Sequence, residues 1–467
     1  MEPDRTSAGA GRLSVSTKAV YATGDHTVNL VLSALSLLYL FFLTEFAGLR
    51  PALAGLVLWV ARAVDAFTDP LMGRISDLTR LRAGRRRPYF LIGALPFGVF
   101  FALLWLTVPL ESQGWRFAYY AFVYVMVSLS MTCLSVPYLA LLPEMATDYD
   151  ERTSLNTYRA AGAVLGTVVA ASMKFLADAL GGDAAAWRNV GLMIGVWCIL
   201  PWFAVYRVSF ERPDFRREAR VSFREGARIL LKHRAYRALS GLYILARIAV
   251  DLIGAMFLLY FTYWIGRGED FTPTLLFFFL VVVLSYPAWL RVARRSDKRT
   301  IFVVGTAWWI GAQFFLFAAV PEWPRWTIFA VTGLAAIGYA VADLMPWAML
   351  GDVIDEDELA TGERREGVYV GFFMLLRKLG GATAVLLVGL VLDLGGYVGG
   401  VPREQQSEIA LQTIRVVTSF APALLLALAI WVARDYQLSR AAHAEILERL
   451  RRRRAGETAS DSEAGLA

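Results

Sequence analysis

Charge is what this 467-residue sequence has least of: 19% of its residues are Asp, Glu, Lys or Arg, against 57% hydrophobic and a mean hydropathy of +0.49. A soluble chain of this length needs more polar surface, so lipid is its expected solvent. Cysteine is nearly absent as well. Cys133 and Cys198 both sit inside apolar runs, which argues against a disulfide framework and leaves no thiolate metal site. The three histidines, His26, His233 and His443, have no metal-ligand spacing, and no phosphate-cradling Gly-Lys-Ser/Thr loop occurs. A membrane-embedded enzyme and an ATP-driven pump are therefore disfavoured, and no cofactor is implied. The polar start, Met1 to Ser16, lacks the basic, apolar and small-residue regions of a signal peptide, so the first apolar run is expected to direct insertion.

What is present is a series of apolar runs about 20 residues long, the length of helix that crosses a hydrocarbon core of about 30 Å. Spans are expected near 19–44, 51–72, 88–108, 117–142, 158–178, 189–206, 238–264, 273–290, 301–320, 326–350, 368–392 and 411–433. The expectation is an all-α polytopic membrane protein of twelve transmembrane helices, and a β-barrel is excluded. Alternate connections carry most of the Lys and Arg, among them Arg74, Arg80, Arg82, Arg85, Arg86 and Arg87; the opposite ones carry one Arg each, as at Arg50, Arg188 and Arg403. That asymmetry predicts both termini in the cytosol of a cell whose plasma or inner membrane holds the chain. It also accounts for the net charge of +7 without a nucleic-acid partner.

The longest basic connection, 207–237, has a helical-looking stretch from Val221 to Arg237 and divides the spans six and six. The organisation read from this is a six-helix half (1–206), a linker on the membrane surface (207–237), a second half (238–434) and a tail (435–467). The tail has an amphipathic helix through Arg454 and then a Gly/Ser/Glu-rich end expected to be mobile. Weak similarity relates the halves: Pro137-Tyr-Leu-Ala-Leu-Leu precedes Glu144 and Asp148, and Pro346-Trp-Ala-Met-Leu precedes Asp352 and Asp355.

The informative residues are those that lipid disfavours. In span two Arg62, Asp65 and Asp69 are spaced three and four apart and share one helix face. A charge at membrane depth costs at least about 3 kcal/mol, so such residues normally face a cavity or an ion path. One arginine does not neutralise two aspartates. The remainder falls to a mobile cation, to a shared proton, or to a basic residue from another helix. Asp25 and Asn29 share a face in span one, where Asp25 is either functional or wetted from the cytosol. Lys378, beside Gly380 and Gly381, is either the counter-charge or a snorkelling side chain. Arg247 and Asp251 in span seven read as a self-contained pair, Lys174 as a snorkelling residue, and Asp343 in span ten as a cavity candidate.

These residues carry a resemblance. Arg62-Ala-Val-Asp65-Ala-Phe-Thr-Asp69-Pro70, Gly73-Arg-Ile-Ser-Asp77, Gly84-Arg-Arg-Arg-Pro88, Glu151-Arg152-Thr-Ser-Leu155 leading to Arg159, Ala348-Met-Leu-Gly-Asp352-Val-Ile-Asp355 and Lys378-Leu-Gly380 resemble the glycoside-pentoside-hexuronide:cation symporter family. The resemblance implies the major facilitator fold of two six-helix halves and symport of a small polar solute with Na⁺ or H⁺. It implies Asp65 and Asp69 as the cation site, with Thr132 as a neutral oxygen ligand. It also implies Asp25 and Arg159 as substrate contacts and Lys378 beside the cation site. A melibiose-carrying member has a second sugar-binding aspartate in span four, where this chain has Ser135, and Leu139 stands where an aromatic platform is expected. A galactoside is thereby disfavoured; Ser135, Tyr138 and Asp343 complete the expected substrate set.

The remaining expectations concern transport. Two halves alternate access to a central cavity. Asp77, Glu144, Asp148, Asp352 and Asp355, with arginines that include Arg62, Arg85, Arg152 and Arg364, are candidate gating ion pairs; ordinary solvated loop charges are the competing reading. The competing function is transport or flipping of a lysolipid or other amphiphile. The expected partners are solute, monovalent cation and bilayer, and the expected state is a monomer.

Overall fold

The computed structural model describes residues 12–81, 83–212, 223–293 and 295–454. Among these there is no strand, only an isolated bridge between Leu81 and Gly84. The helices are α1 (Val15–Leu37), α2 (Tyr39–Glu45), α3 (Pro51–Leu78), α4 (Pro88–Leu104), α5 (Gln113–Met145), α6 (Tyr149–Ala179) and α7 (Ala184–Val208). After the linker come α8 (Phe223–Lys232), α9 (Arg234–Leu259), α10 (Phe271–Ala293), α11 (Lys298–Ala318), α12 (Arg325–Thr361), α13 (Glu366–Leu394), α14 (Glu408–Ala433) and α15 (Arg440–Arg454).

Each of the twelve apolar runs is helical. Ten of these helices are long and apolar enough to cross a membrane, and eleven if α1 and α2, which meet at a 47° bend, form one span. The other run, α4, is apolar but has 17 residues, about 25 Å of helix. The chain is thus an all-helical, multi-pass membrane protein. Helix ends and the ends of the apolar stretches do not coincide: α4 stops at Leu104, short of the expected end at 108. α12 continues from the expected end at 350 to Thr361, because Asp352, Asp355 and Asp357 bring a polar turn onto a helix that Gly362 ends with φ of 78°. The helical stretch expected over 221–237 breaks at His233, whose ring accepts from the Tyr236 N–H and caps α9. Residues 213–222 of that linker and the Gly/Ser/Glu-rich end beyond 454 lie outside the described residues.

Packing divides the chain into two units, one of Met1–Glu218 with Gly389–Gln406, the other of Ala219–Val388 with Ser407–Ala467. The connection after α13 thus packs with the first unit, where Tyr397 donates to the Glu45 carboxylate and the Gly400 N–H reaches it at 3.1 Å. Helix faces sort by neighbour. On α4, Phe90, Phe97 and Phe101 are buried while Leu91, Ile92 and Leu95 are exposed, an apolar face suited to lipid.

Two glycines decide helix approach in the first unit. A Cβ on Gly162 would lie 2.4 Å from the carbonyl oxygen of Ala22, and one on Gly166 2.2 Å from that of His26. Only hydrogen fits between α1 and α6, and this contact sets the register of the polar residues that follow.

Candidate functional site

Arg62, Asp65 and Asp69 occupy successive turns of α3. Asp65 is fully buried. Thr132 of α5 brings its hydroxyl to 2.8 Å from Oδ1 of Asp69 and 3.3 Å from Oδ1 of Asp65, while Nη2 of Arg62 bonds Ser36 Oγ at 3.4 Å. A hydroxyl has one proton to donate, so two carboxylates converge on one donor. Pro70 follows directly; having no N–H, it leaves the Ala66 carbonyl, between the two aspartates, without its usual helix partner. The donors are all oxygens, two of them anionic groups, which suits a hard monovalent cation or a proton on one carboxylate. Among the described residues, no group of three or more His, Cys, Asp and Glu is placed to hold a metal ion.

The close α1–α6 contact brings Arg159 onto Asp25. Nε and Nη2 of Arg159 donate to the two carboxylate oxygens at 2.5 and 3.1 Å, and the Tyr138 hydroxyl lies 2.8 Å from both Oδ2 of Asp25 and the Tyr21 carbonyl. Tyr21 returns a 2.6 Å bond to the Tyr138 carbonyl, their rings stack at 4.3 Å, and the Arg159 guanidinium lies over the Tyr138 ring. Asn29, expected on the Asp25 face, donates to the Asp25 backbone carbonyl at 2.9 Å. Asp25, Tyr138 and Arg159 thus form one network in which aspartate and arginine neutralise each other. Ser135 is half-buried on α5, and Leu139 is 52% exposed. Lys378 stands half-buried on α13 of the second unit. Asp343, also there, lies 3.6 Å from Nη1 of Arg247, whose other nitrogens hold Asp251 at 2.5 and 3.1 Å. Lys174 pairs with Asp178 at 2.5 Å.

Of the candidate gating residues, Arg62 lies mid-way along α3, away from the charged helix ends where the others sit. In the first unit Glu144, 1% exposed, accepts from Arg85 at 2.5 Å and from Arg86, which also reaches Asp77 at 2.9 Å. The Glu211 carboxylate receives the backbone N–H groups of Arg85, Arg86 and Arg87 at 2.9, 2.8 and 3.0 Å. Gly84 makes that approach feasible: its φ is 108°, and a Cβ there would lie 2.5 Å from Glu211 Oε1. Asp148 caps α6, accepting from the N–H groups of Asp150 and Glu151, and Arg152 donates to the Ala146 carbonyl at 3.3 Å. In the second unit Lys298 holds Asp352 at 2.6 Å, Arg364 holds Asp355 at 3.0 Å, and His443 of α15 lies between the two at 3.4 and 3.0 Å.

Four participants escaped sequence reasoning: Lys18, which pairs with Glu151 at 2.9 Å, and Glu211, Lys298 and His443. Their only signal was being ionisable and next to a span, which dozens of residues share.

Comparison with known proteins decides the family. A family model described as MFS/sugar transport protein matches residues 20–440. The chain belongs to that family. An uncharacterised symporter of Synechocystis is 29% identical over 95% of this chain and 98% of its own. The sodium-dependent lysophosphatidylcholine symporter 1-A of Danio rerio is 26% identical over 91% of this chain and 86% of its own. Among solved structures, a bacterial homologue of the human lysosomal transporter Spinster, inward-facing and unoccupied, matches with a TM-score of 0.66 at 13% identity, covering 93% of this chain and 97% of that one. This similarity is of fold: the helices have the major facilitator arrangement. As a member of the MFS/sugar transport protein family, the chain is a transporter and not an enzyme.

Proposed function

We propose that the protein is a cation-coupled symporter that carries a small polar solute of the sugar or glycoside class by alternating access. In this reading Asp65, Asp69 and Thr132 hold Na⁺ or a proton, and Asp25, Tyr138 and Arg159 hold the solute. The observation that carries it is the convergence of Asp65 and Asp69 on the single hydroxyl of Thr132, with one arginine on that face of α3. A bound cation adds positive charge beside the two carboxylates, and because that charge favours one conformation, cation and solute strengthen each other's binding reciprocally. The symporter relatives and the sugar-transport family model support this class. The basic connections support an inner-membrane protein with both termini in the cytosol.

The test is thermal stabilisation of the purified chain by Na⁺ across a solute panel, in wild type, Asp65→Asn and Asp69→Asn. Stabilisation by Na⁺ that both variants lose is the expected result. A wild type indifferent to Na⁺ but stabilised at low pH identifies the proton as the coupling ion, and indifference to both gives the two aspartates a structural role. A second reading, lysolipid transport, is favoured by the similarity to a lysophosphatidylcholine symporter. Competition of lysolipids against free sugars for uptake separates the two.

A further inference from the structure

Arg415 lies two turns into α14, about 10 Å from its start at Glu408 and inside an apolar run. Among the described residues no carboxylate pairs with it, and its close contacts are neutral. Nε donates to the Phe317 carbonyl at 2.7 Å and Nη1 to Oε1 of Gln412 at 3.4 Å. The guanidinium carbon stands 4.7 Å from the centre of the Trp264 ring and 4.1 Å from that of Phe317. Two aromatic faces thus take the place of a counter-ion.

The end of α11 explains why the side chain is held there. That helix stops at Ala318, so its last carbonyls lack their usual donors four residues on. Three side chains from other segments reach this end: Tyr260 donates to the Leu316 carbonyl at 2.6 Å, Arg415 to that of Phe317, and Trp264 Nε1 to that of Ala319 at 2.8 Å. A helix C-terminus carries about half a negative charge, which draws the guanidinium in and offsets part of its own. The rest remains. A guanidinium has five N–H donors, and the two bonds to Phe317 and Gln412 leave the others for a ligand. The side chain is half-buried, so it is fixed on one side and open on the other.

Depth decides what the open side meets. The far end of α14 leads to Tyr436, which bonds the Met349 carbonyl beside the Asp352 cluster, so Arg415 lies at the opposite end of the second unit from that cluster. It stands at the level where α11 ends, while Ile409 and Val416 of α14 and Phe314 and Phe315 of α11 are exposed on the neighbouring turns. At the end of a span, with apolar side chains facing outward, the anion that a bilayer supplies is the phosphate of its headgroups. The planar fork of arginine matches two phosphate oxygens.

We propose that Arg415, clamped between Trp264 and Phe317, binds a phosphate group at this end of the second unit, and that the phosphate belongs to a bilayer phospholipid. The bound lipid would tie α14 to the end of α11 and to the π-helical turn Tyr260–Trp264. The site shares no residue with the cation and solute sites of the symport reading and stands or falls without it.

The experiment delipidates the full-length purified protein in detergent and titrates it with dioctanoyl phosphatidylglycerol, with dioctanoylglycerol, which has the chains without the phosphate, and with glycerol 3-phosphate, which has the phosphate without the chains. Melting temperature and the number of bound lipids by native mass spectrometry are read for wild type, Arg415→Gln, Arg415→Lys and, as a control for loss of charge elsewhere, Arg188→Gln on the exposed surface of the first unit. The expected result is that phosphatidylglycerol stabilises wild type and Arg188→Gln alike and that the other two compounds stabilise neither. In Arg415→Gln one fewer lipid is bound and affinity falls by about tenfold or more; in Arg415→Lys, which keeps the charge and loses the fork, it falls by about threefold. Affinity within about twofold of wild type in both Arg415 variants overturns the site, as does an equal loss in Arg188→Gln. Stabilisation by dioctanoylglycerol as strong as by phosphatidylglycerol overturns the phosphate. Stabilisation by glycerol 3-phosphate that Arg415→Gln loses overturns the lipid as its source. Should Arg415→Gln give no cooperative melting transition, Arg415→Lys decides alone, by the same twofold limit.

Discussion

At the scale of single residues, the Thr132 hydroxyl carries the most chemistry for its size. A hydrogen bond to a charged group contributes about 1.5–3 kcal/mol, and in the proposed cation site the same hydroxyl would offer an oxygen ligand worth the same order. Thr132→Val keeps the shape and removes the oxygen, so the apparent Na⁺ affinity should fall by roughly ten- to a hundredfold in a stabilisation titration, while Thr132→Ser stays near wild type. The Asp25–Arg159 pair behaves differently, because both side chains are only 14% exposed. Asp25→Asn alone leaves a guanidinium uncompensated and should destabilise the protein by about 3 kcal/mol. Adding Arg159→Gln should recover part of that loss of thermal stability. If the double variant is no more stable than the single one, the pair is not what holds the network together. Pairing of Asp25 with Arg159 was not legible in the sequence: residues 134 positions apart carry no mark of being partners.

At the scale of elements, the α1–α6 contact is the one to break. Gly166→Leu forces a side chain against the carbonyl of His26, and Gly162→Leu does the same at Ala22. Overpacking typically costs about 1–3 kcal/mol, and here the neighbour is backbone that has no rotamer to yield. Both variants should lower the melting temperature and weaken solute binding together, since Asp25 and Arg159 of the proposed solute site ride on these helices. A variant that loses stability but keeps full solute affinity would detach the helix contact from the site. The spans themselves were legible because twenty apolar residues in a row admit one solution in lipid, a helix that satisfies its own backbone. Their ends were not. α12 runs eleven residues past its apolar stretch because its polar end is held by Lys298, Arg364 and His443, contacts from three other segments. Periodicity has no access to partners of that kind.

At the scale of the whole molecule, the charge asymmetry of the connections makes a testable statement of sidedness. With Cys133 and Cys198 replaced, a single cysteine at Gly182 or Val398 should react in intact cells with a membrane-impermeant maleimide. One at Ser439 should react only after the membrane is opened. Labelling in the reverse pattern would invert the proposed orientation and place the clusters around Glu144 and Asp352 on the outer side.

What the sequence alone determined is what lipid dictates locally: a helical chain, apolar along each span, interrupted by a few ionisable residues whose cost marks them as functional candidates. Span two was readable in this way because Arg62, Asp65 and Asp69 lie within eight residues, and helix geometry alone puts them on one face. Tertiary structure decided which distant groups meet those residues: Thr132 between the aspartates, Arg159 on Asp25, Glu211 under the Arg85–Arg87 backbone, Arg247 beside Asp343. The physical reason is range. Hydrophobicity and helical periodicity act over one or two turns of chain, whereas an ion pair in a membrane protein is fixed by how closely two helices can approach. Here that approach was set by glycines whose meaning appears only when the neighbouring helix is in place.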